Sequence, residues 1–183
     1  MPKIKKKQLL DQDGISRSLS RIAHEITECL SSTDKIAFIG IRTRGEFIAT
    51  RLADKIQSLT QNEIQIGFLD VTFYRDDFRE RLIQPQVKGS DISFSIDGLT
   101  LILTDDVLFT GRTIRAALDE LMDFGRPAKI LMATLVDRGH REIPIRADYV
   151  GKNVPTSIDE EVEVRLAEVD GVDKVQLLRK GES

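Results

Sequence analysis

Apolar residues Ile15, Leu19, Ile22, Ala23, Ile26 and Leu30 recur at steps of three and four, which puts them on one stripe of an amphipathic helix over residues 13–30. A short apolar run over 35–41 then ends in Gly40-Ile41-Arg42-Thr43-Arg44-Gly45, and Phe47, Ile48, Leu52 and Ile56 resume helical spacing. That succession reads as strand, loop, helix. Residues 64–74 carry β-branched and aromatic side chains and predict a further strand. A charged stretch and then Pro, Gly and Ser interruptions follow, so residues of about 70–98 are expected to form a flap.

Leu99, Leu101, Ile102 and Leu103 form a near-continuous apolar run, the pattern of a strand covered on both faces. It gives way to Thr104, Asp105 and Asp106, after which Thr110-Gly111-Arg112-Thr113 opens a helix. The stripe of that helix runs through Ile114, Ala117, Leu118 and Leu121 and stops at Gly125 and Pro127. Residues 130–136 predict another buried strand, 139–155 a Gly- and Pro-punctuated stretch, and 162–178 terminal strands. Strand and helix alternate, so the expected fold class is α/β, a mostly parallel sheet flanked by helices with right-handed crossovers. A chain of 183 residues without repeats or linkers is expected to be one domain over 1–183.

Composition narrows the function. Lys3, Lys5, Lys6 and Lys7 lead into an amphipathic stretch, so neither a secretory signal nor a membrane span is expected. The lone cysteine, Cys29, falls on the apolar stripe of the first helix and is expected to be a small buried hydrophobe in a reducing, cytoplasmic compartment. A net charge of −3 excludes a generally basic nucleic-acid binder. The charges are nonetheless segregated: basic residues gather in the first third and over 138–152, whereas Asp159, Glu160, Glu161, Glu163, Glu168, Asp170 and Asp173 make the tail acidic. A localised positive face is therefore allowed. His24 and His140 lack zinc-ligand spacing with a Cys or Glu.

The candidate chemistry lies in 101–113. In an open α/β sheet, ligands bind beyond the carboxyl ends of the strands, where Asp105 and Asp106 would stand. Successive residues leaving a strand point in different directions, so each carboxylate can accept a hydrogen bond from a neighbouring ribose hydroxyl. Thr110 to Thr113 is a Gly-containing turn at a helix amino terminus, where backbone N–H groups and the dipole favour phosphate. Acid pairs after apolar strands also occur in Walker B elements, but no G-x-x-x-x-G-K-[ST] loop accompanies this one. Receiver domains place the pair in their first strand. An ordinary capped helix preceded by surface aspartates is the bland alternative.

The segment Leu101-Ile-Leu-Thr-Asp-Asp-Val-Leu-Phe-Thr-Gly-Arg-Thr113 resembles the phosphoribosyl pyrophosphate motif of type I phosphoribosyltransferases. Three further blocks, 39–45, 70–77 and 136–156, extend the likeness to the group of that superfamily which joins uracil phosphoribosyltransferase activity to pyrimidine operon attenuation. The resemblance implies that Asp105 and Asp106 bind the ribose hydroxyls, and that Thr110, Gly111, Arg112 and Thr113 bind the 5-phosphate. Arg42, Thr43, Arg44 and Gly45 would form the pyrophosphate loop, with Arg42 and Arg44 joining the two aspartates as catalytic residues. Tyr74, Arg75 and Asp76 would lie on the flap. A hood over about 137–157 would cover uracil, read through Asp137 and through backbone groups near Arg138 and Ile143.

A substrate carrying pyrophosphate implies Mg²⁺, held through phosphate oxygens with Asp105 and Asp106 nearby. Purine-type relatives carry a proton-transferring carboxylate after the aliphatic pair of the motif. Phe109 stands there in this chain, which disfavours a purine and leaves the group that handles the uracil proton unassigned. The resemblance also implies a second activity, in which Arg17, Ser20, Arg21 and His24 on the first helix join His140, Arg141, Arg146 and Lys152 in a basic face. Paired across a homodimer or higher homo-oligomer, that face would bind pyrimidine leader mRNA, with UMP or UTP favouring the bound form. The alternative is a purely metabolic phosphoribosyltransferase whose polar helix face is only solvated surface.

Overall fold

The computed structural model describes residues 4–29, 35–71 and 89–180. Leu30 and the flap residues Tyr74, Arg75 and Asp76 lie outside them. Helix α1 (Gln12–Cys29) starts where Asp11 Oδ1 accepts the Gly14 N–H at 2.7 Å, a side-chain cap that satisfies one otherwise unpaired donor. Its stripe Ile15, Leu19, Ile22, Ala23 and Ile26 is buried. Cys29 is exposed and not buried as expected, because it is the last residue of α1 and falls beyond the stripe beside the equally exposed Glu28.

Strands β2 (Ile36–Ile41), β3 (Gln65–Leu69), β4 (Thr100–Leu108), β5 (Lys129–Asp137) and β6 (Tyr149–Asn153) form one sheet in the order β3-β2-β4-β5-β6, with every neighbouring pair parallel. Helix α2 (Arg44–Thr60) joins β2 to β3, and α3 (Arg112–Phe124) joins β4 to β5. The α/β expectation therefore holds. Phe38 and Ile102 pack with the stripes of α1 and α2, while Ala37, Ile39, Leu101 and Leu103 pack with Ile114, Ala117 and Leu121 of α3. Both faces of the central strands are covered, which is why their sequence is continuously apolar and not alternating.

The amino-terminal lysine run is itself a strand, β1 (Ile4–Leu10), which pairs antiparallel with β8 (Lys174–Lys180). With β7 (Glu160–Arg165) they make a separate sheet in the order β1-β8-β7. Pairing across nearly the whole chain, from Ile4 to Lys180, leaves no local signal, and three consecutive lysines hide a period of two. The hood expected over 137–157 is not one unit, because β6 joins the central sheet beside β5. Gly151 makes that possible: a Cβ there would lie 2.5 Å from Leu135 O.

The acidic tail is drawn onto α2. Arg51 donates to Asp173 through Nη1 and Nη2, each at 2.8 Å, and to Glu168 through Nε at 2.8 Å and Nη2 at 2.6 Å, fixing the short helix α4 (Ala167–Asp170) and the turn after it. The hydrogen bonds from Arg51 hold the Asp173 and Glu168 carboxyls below the usual carboxylate range against the opposing effect of burial. Each acid thus ionises more readily folded than unfolded. The stabilisation is complete above the unfolded carboxylate range near pH ~4 and is lost as pH falls through the lower folded values. Arg51→Ala should lower stability by about 1–2 kcal/mol near neutral pH. In urea melts taken at successively lower pH, the gap between variant and wild type should close in acid.

Candidate active site

Helix α2 leaves β2 toward the α1 face of the sheet and α3 leaves β4 toward the other. Because β2 and β4 are neighbours, their carboxyl ends flank a topological switch point, where an open α/β sheet leaves a crevice. The first turn of α2 touches β4 there. Thr104 Oγ1 donates toward Gly45 O at 3.0 Å and Ile39 O at 3.3 Å, and a Cβ on Gly45 would stand 2.5 Å from Thr104 O. Glycine is the residue that permits this approach.

The acid pair lies within β4 and not beyond it. The strand continues past Leu103 because Asp105, Val107 and Leu108 keep pairing with Thr134, Val136 and Asp137 of β5. Asp105 is buried and Asp106 half-buried, and one oxygen of each accepts a backbone N–H, from Asp106 at 2.9 Å and from Val107 at 3.0 Å. Two fixed carboxylates therefore point to different sides of one strand end. Beyond them Gly111, with φ +94°, is the N-cap of α3 and has no side chain to offer its first turn, where the Arg112 N–H donates to Thr110 Oγ1 at 3.3 Å. The Thr110 carbonyl is braced by the Glu142 and Ile143 N–H groups at 3.0 and 3.2 Å.

Arg44, Asp105, Asp106, Thr110, Gly111 and Thr113 line one cleft. Of the ribose, phosphate and pyrophosphate candidates these six share the cleft, whereas Arg42, Thr43, Gly45 and Arg112 are not among its lining residues. Arg112 is exposed and pairs with Glu142 at 2.6 Å. Arg42 pairs with Glu46 at 2.9 Å and stacks 5.3 Å from the centre of the Phe68 ring. The opposite wall is Glu161, Val162, Glu163 and Val164 of β7, which sequence reasoning did not assign to the site. Their alternation of acid and valine signalled a strand, but nothing local said where it would dock.

The base-side candidates divide. Arg138 is buried, and its guanidinium lies 4.0 Å from the centre of the Phe109 ring, a cation–π contact. It also donates to Thr156 Oγ1 at 3.2 Å and Glu160 O at 2.5 Å. Burial pushes its pKa down, opposed by Glu161 and Glu160. His140 meets the Phe109 ring edge-on at 6.0 Å between centroids, and its Nε2 lies 2.6 Å from Thr156 O, so Nε2 is the donor. Both backbone groups of Ile143, expected to read the base, are spent within the loop, the N–H on Thr110 O and the carbonyl on the Ile145 N–H. Asp137 accepts the Gly139 N–H at 3.0 Å and pairs with Arg141.

Arg141 is not the outward cation of the expected basic face. Its guanidinium donates to Asp137, Phe109 O, Gly139 O and Ile145 O, which makes it the brace of the loop. Arg17, His24 and Arg146 are exposed as expected. Ser20 Oγ accepts from Lys55 Nζ at 3.0 Å. Arg21 reaches from α1 to Val150 O at 2.8 Å and Gly151 O at 2.7 Å, which brings the helix face beside Lys152 on β6. No described helix is long and apolar enough to cross a membrane.

Residues 5–168 match the phosphoribosyl transferase domain family. The chain belongs to the phosphoribosyltransferases. Relatives named Bifunctional protein PyrR include that of Pelotomaculum thermopropionicum, 54% identical over 97% of this chain and 98% of its own. That of Roseiflexus sp. is 55% identical over 94% and 95%, and that of Bacillus cereus 54% over 94% and 97%. The chain therefore falls in the PyrR group of phosphoribosyltransferases. The fold recurs in a hypoxanthine phosphoribosyltransferase of Staphylococcus aureus, with TM-score 0.72, 21% identity and coverage of 94% and 91% of the two chains. It recurs again in the Trypanosoma cruzi hypoxanthine phosphoribosyltransferase in complex with the product IMP, at TM-score 0.68, 18% identity and coverage of 94% and 90%. Those neighbours establish the type I phosphoribosyltransferase fold.

Within this phosphoribosyltransferase, Gly45→Ala should force the start of α2 away from β4 at a cost of about 1–3 kcal/mol. A lowered thermal midpoint together with weakened phosphoribosyl pyrophosphate binding is the expected result.

Proposed function

We infer that the chain transfers the phosphoribosyl group of phosphoribosyl pyrophosphate to uracil, forming UMP and pyrophosphate, and that it regulates pyrimidine operon expression by uridine-nucleotide-dependent binding to leader mRNA. The observation that carries the enzymatic reading is the meeting, across one cleft, of two carboxylates fixed at a strand end and the glycine-led amino terminus of α3. A ribose 5-phosphate presents hydroxyls at one end and a dianion at the other, and this cleft offers acceptors and donors in that order. Asp105 and Asp106 accept from the ribose hydroxyls. Thr110, Thr113 and the backbone of 111–113 take the 5-phosphate.

Departure of pyrophosphate leaves positive charge on the ribose ring and adds negative charge to the leaving group. Arg44, on the cleft wall, faces the second, and the two aspartates moderate the first. Among the described residues no cluster of three or more metal-ligating side chains exists, so the fitting metal is one that takes most of its oxygens from the substrate. Asp105 and Asp106 would hold Mg²⁺ together with phosphate oxygens, and the ion would neutralise the pyrophosphate. Phe109, under Arg138, puts an aromatic ring where a purine-type proton donor would stand, which favours uracil.

Pyrophosphate release should be faster with uracil than with guanine or orotate; guanine as the better substrate overturns the assignment. Asp105→Asn with Asp106→Asn should cut turnover by at least ~100-fold, the scale of losing fixed electrostatic stabilisation. For the RNA reading, filter binding of leader hairpin RNA in the presence of UMP should weaken roughly tenfold for Arg17→Ala and for Arg146→Ala, each as the loss of a cationic contact. Equal, weak, UMP-independent binding by wild type and both variants would leave the purely metabolic enzyme.

A further inference from the structure

Arg44 is unlike the other cleft residues in having a dedicated anionic partner behind it. Its Nε and Nη2 donate to Asp170 Oδ2 at 3.2 Å and Oδ1 at 2.9 Å, a two-pronged pairing along one edge of the guanidinium. Arg44 lines the cleft, whereas Asp170 does not. Among the described residues Nη1 makes no hydrogen bond, so the edge left over is the one away from Asp170.

Asp170 is itself held. Its Oδ2 accepts the Leu166 N–H at 3.0 Å, and the α4 turn that carries it is tied to α2 by Arg51 through Glu168 and Asp173. Arg44 and Arg51 are seven residues apart on α2, hence on one face, and both reach the same acidic segment. Burial works against ionisation of the Asp170 carboxyl, but the hydrogen bonds from Arg44 and the Leu166 N–H prevail and hold it below the usual carboxylate range. The partner stays charged at neutral pH.

Two opposite effects follow. A carboxylate beside Arg44 weakens its attraction for an incoming anion, yet pinning one edge of a planar fork fixes where the other edge points. A free arginine side chain carries roughly 2 kcal/mol of rotamer entropy, which an anion must otherwise remove on binding. Since Asp170 stands outside the cleft and occupies the edge that the ligand does not need, orientation outweighs competition. We infer that Asp170 is a positioning residue that sets Arg44 to receive the leaving pyrophosphate, a reading that rests on the phosphoribosyltransferase assignment of the cleft.

The test compares wild type, Asp170→Ala and Asp170→Asn in the full chain, reading KM for phosphoribosyl pyrophosphate, kcat, and affinities for inorganic pyrophosphate and UMP. Asp170→Ala should raise KM and weaken pyrophosphate binding by ~10-fold, with UMP, which has no pyrophosphate, bound within about twofold of wild type. Asp170→Asn keeps one acceptor oxygen and should recover part of the loss. In an Arg44→Ala background, Asp170→Ala should change pyrophosphate affinity no further, since the two act as one unit. Tighter pyrophosphate binding by Asp170→Ala would make Asp170 a competitor and overturn the proposal. Equal loss of pyrophosphate and UMP binding would make it only a structural support and overturn it likewise. Wild-type chain that binds neither ligand would instead strike the assignment of the cleft.

Discussion

Contact between the Gly45 backbone and the carbonyl of Thr104 governs how the cleft is built. Helices α2 and α3 leave neighbouring parallel strands toward opposite faces of the sheet, and the close approach of the α2 start to β4 brings Arg44 into one cleft with the acid pair. A Cβ at position 45 would sit 2.5 Å from that oxygen, inside any tolerable contact. The Thr104 hydroxyl, wholly buried and turned to Gly45 O and Ile39 O, meets polar groups that the approach would otherwise strand. Packing of α1 and α2 on one face and α3 on the other supports both strands.

Arginines do most of the secondary work, and they do it in different ways. Arg51 converts a run of tail acids that would repel one another into a tied turn. Arg141 gathers three carbonyls and a carboxylate and gives the loop over 137–145 its shape, while Arg138 lies against the Phe109 ring. The planar guanidinium, with five donors, suits this bridging of backbone oxygens in a way an ammonium does not. A charge count alone cannot separate such internal braces from cations offered to a polyanion. Arg17, His24 and Arg146 remain outward; Arg141 does not.

The same use of side chain to backbone bonds ties the cleft to α1. The loop that ends in Thr156 supports Arg138 and His140 beside the base side of the cleft, and β6 just before it lies under Arg21 of α1. Arg138 and His140 beside the cleft and Arg21 on α1 are therefore both anchored on one short stretch of chain, 150–156.

Much of this was legible in one dimension. The three- and four-residue spacing from Ile15 to Ile26, the continuous apolar run at 101–103, and a Gly-containing helix start after an acid pair each depend on residues close in sequence, and the helix, the strand and the helix start each appear in the structure. What sequence alone could not determine depends on contacts between distant residues. The pairing of Ile4 with Lys180, the docking of β7 as the second wall, the extension of β4 through the acid pair by Thr134 to Asp137, and the capture of Arg44 by Asp170 have no local periodicity to announce them. Nor could residue type say that Cys29 faces out or that Arg141 faces in, because burial is a property of what packs against a side chain. The chain's own order determined which elements form and which chemistry they carry; tertiary structure decided which charges meet, since that depends on distances the linear spacing does not encode.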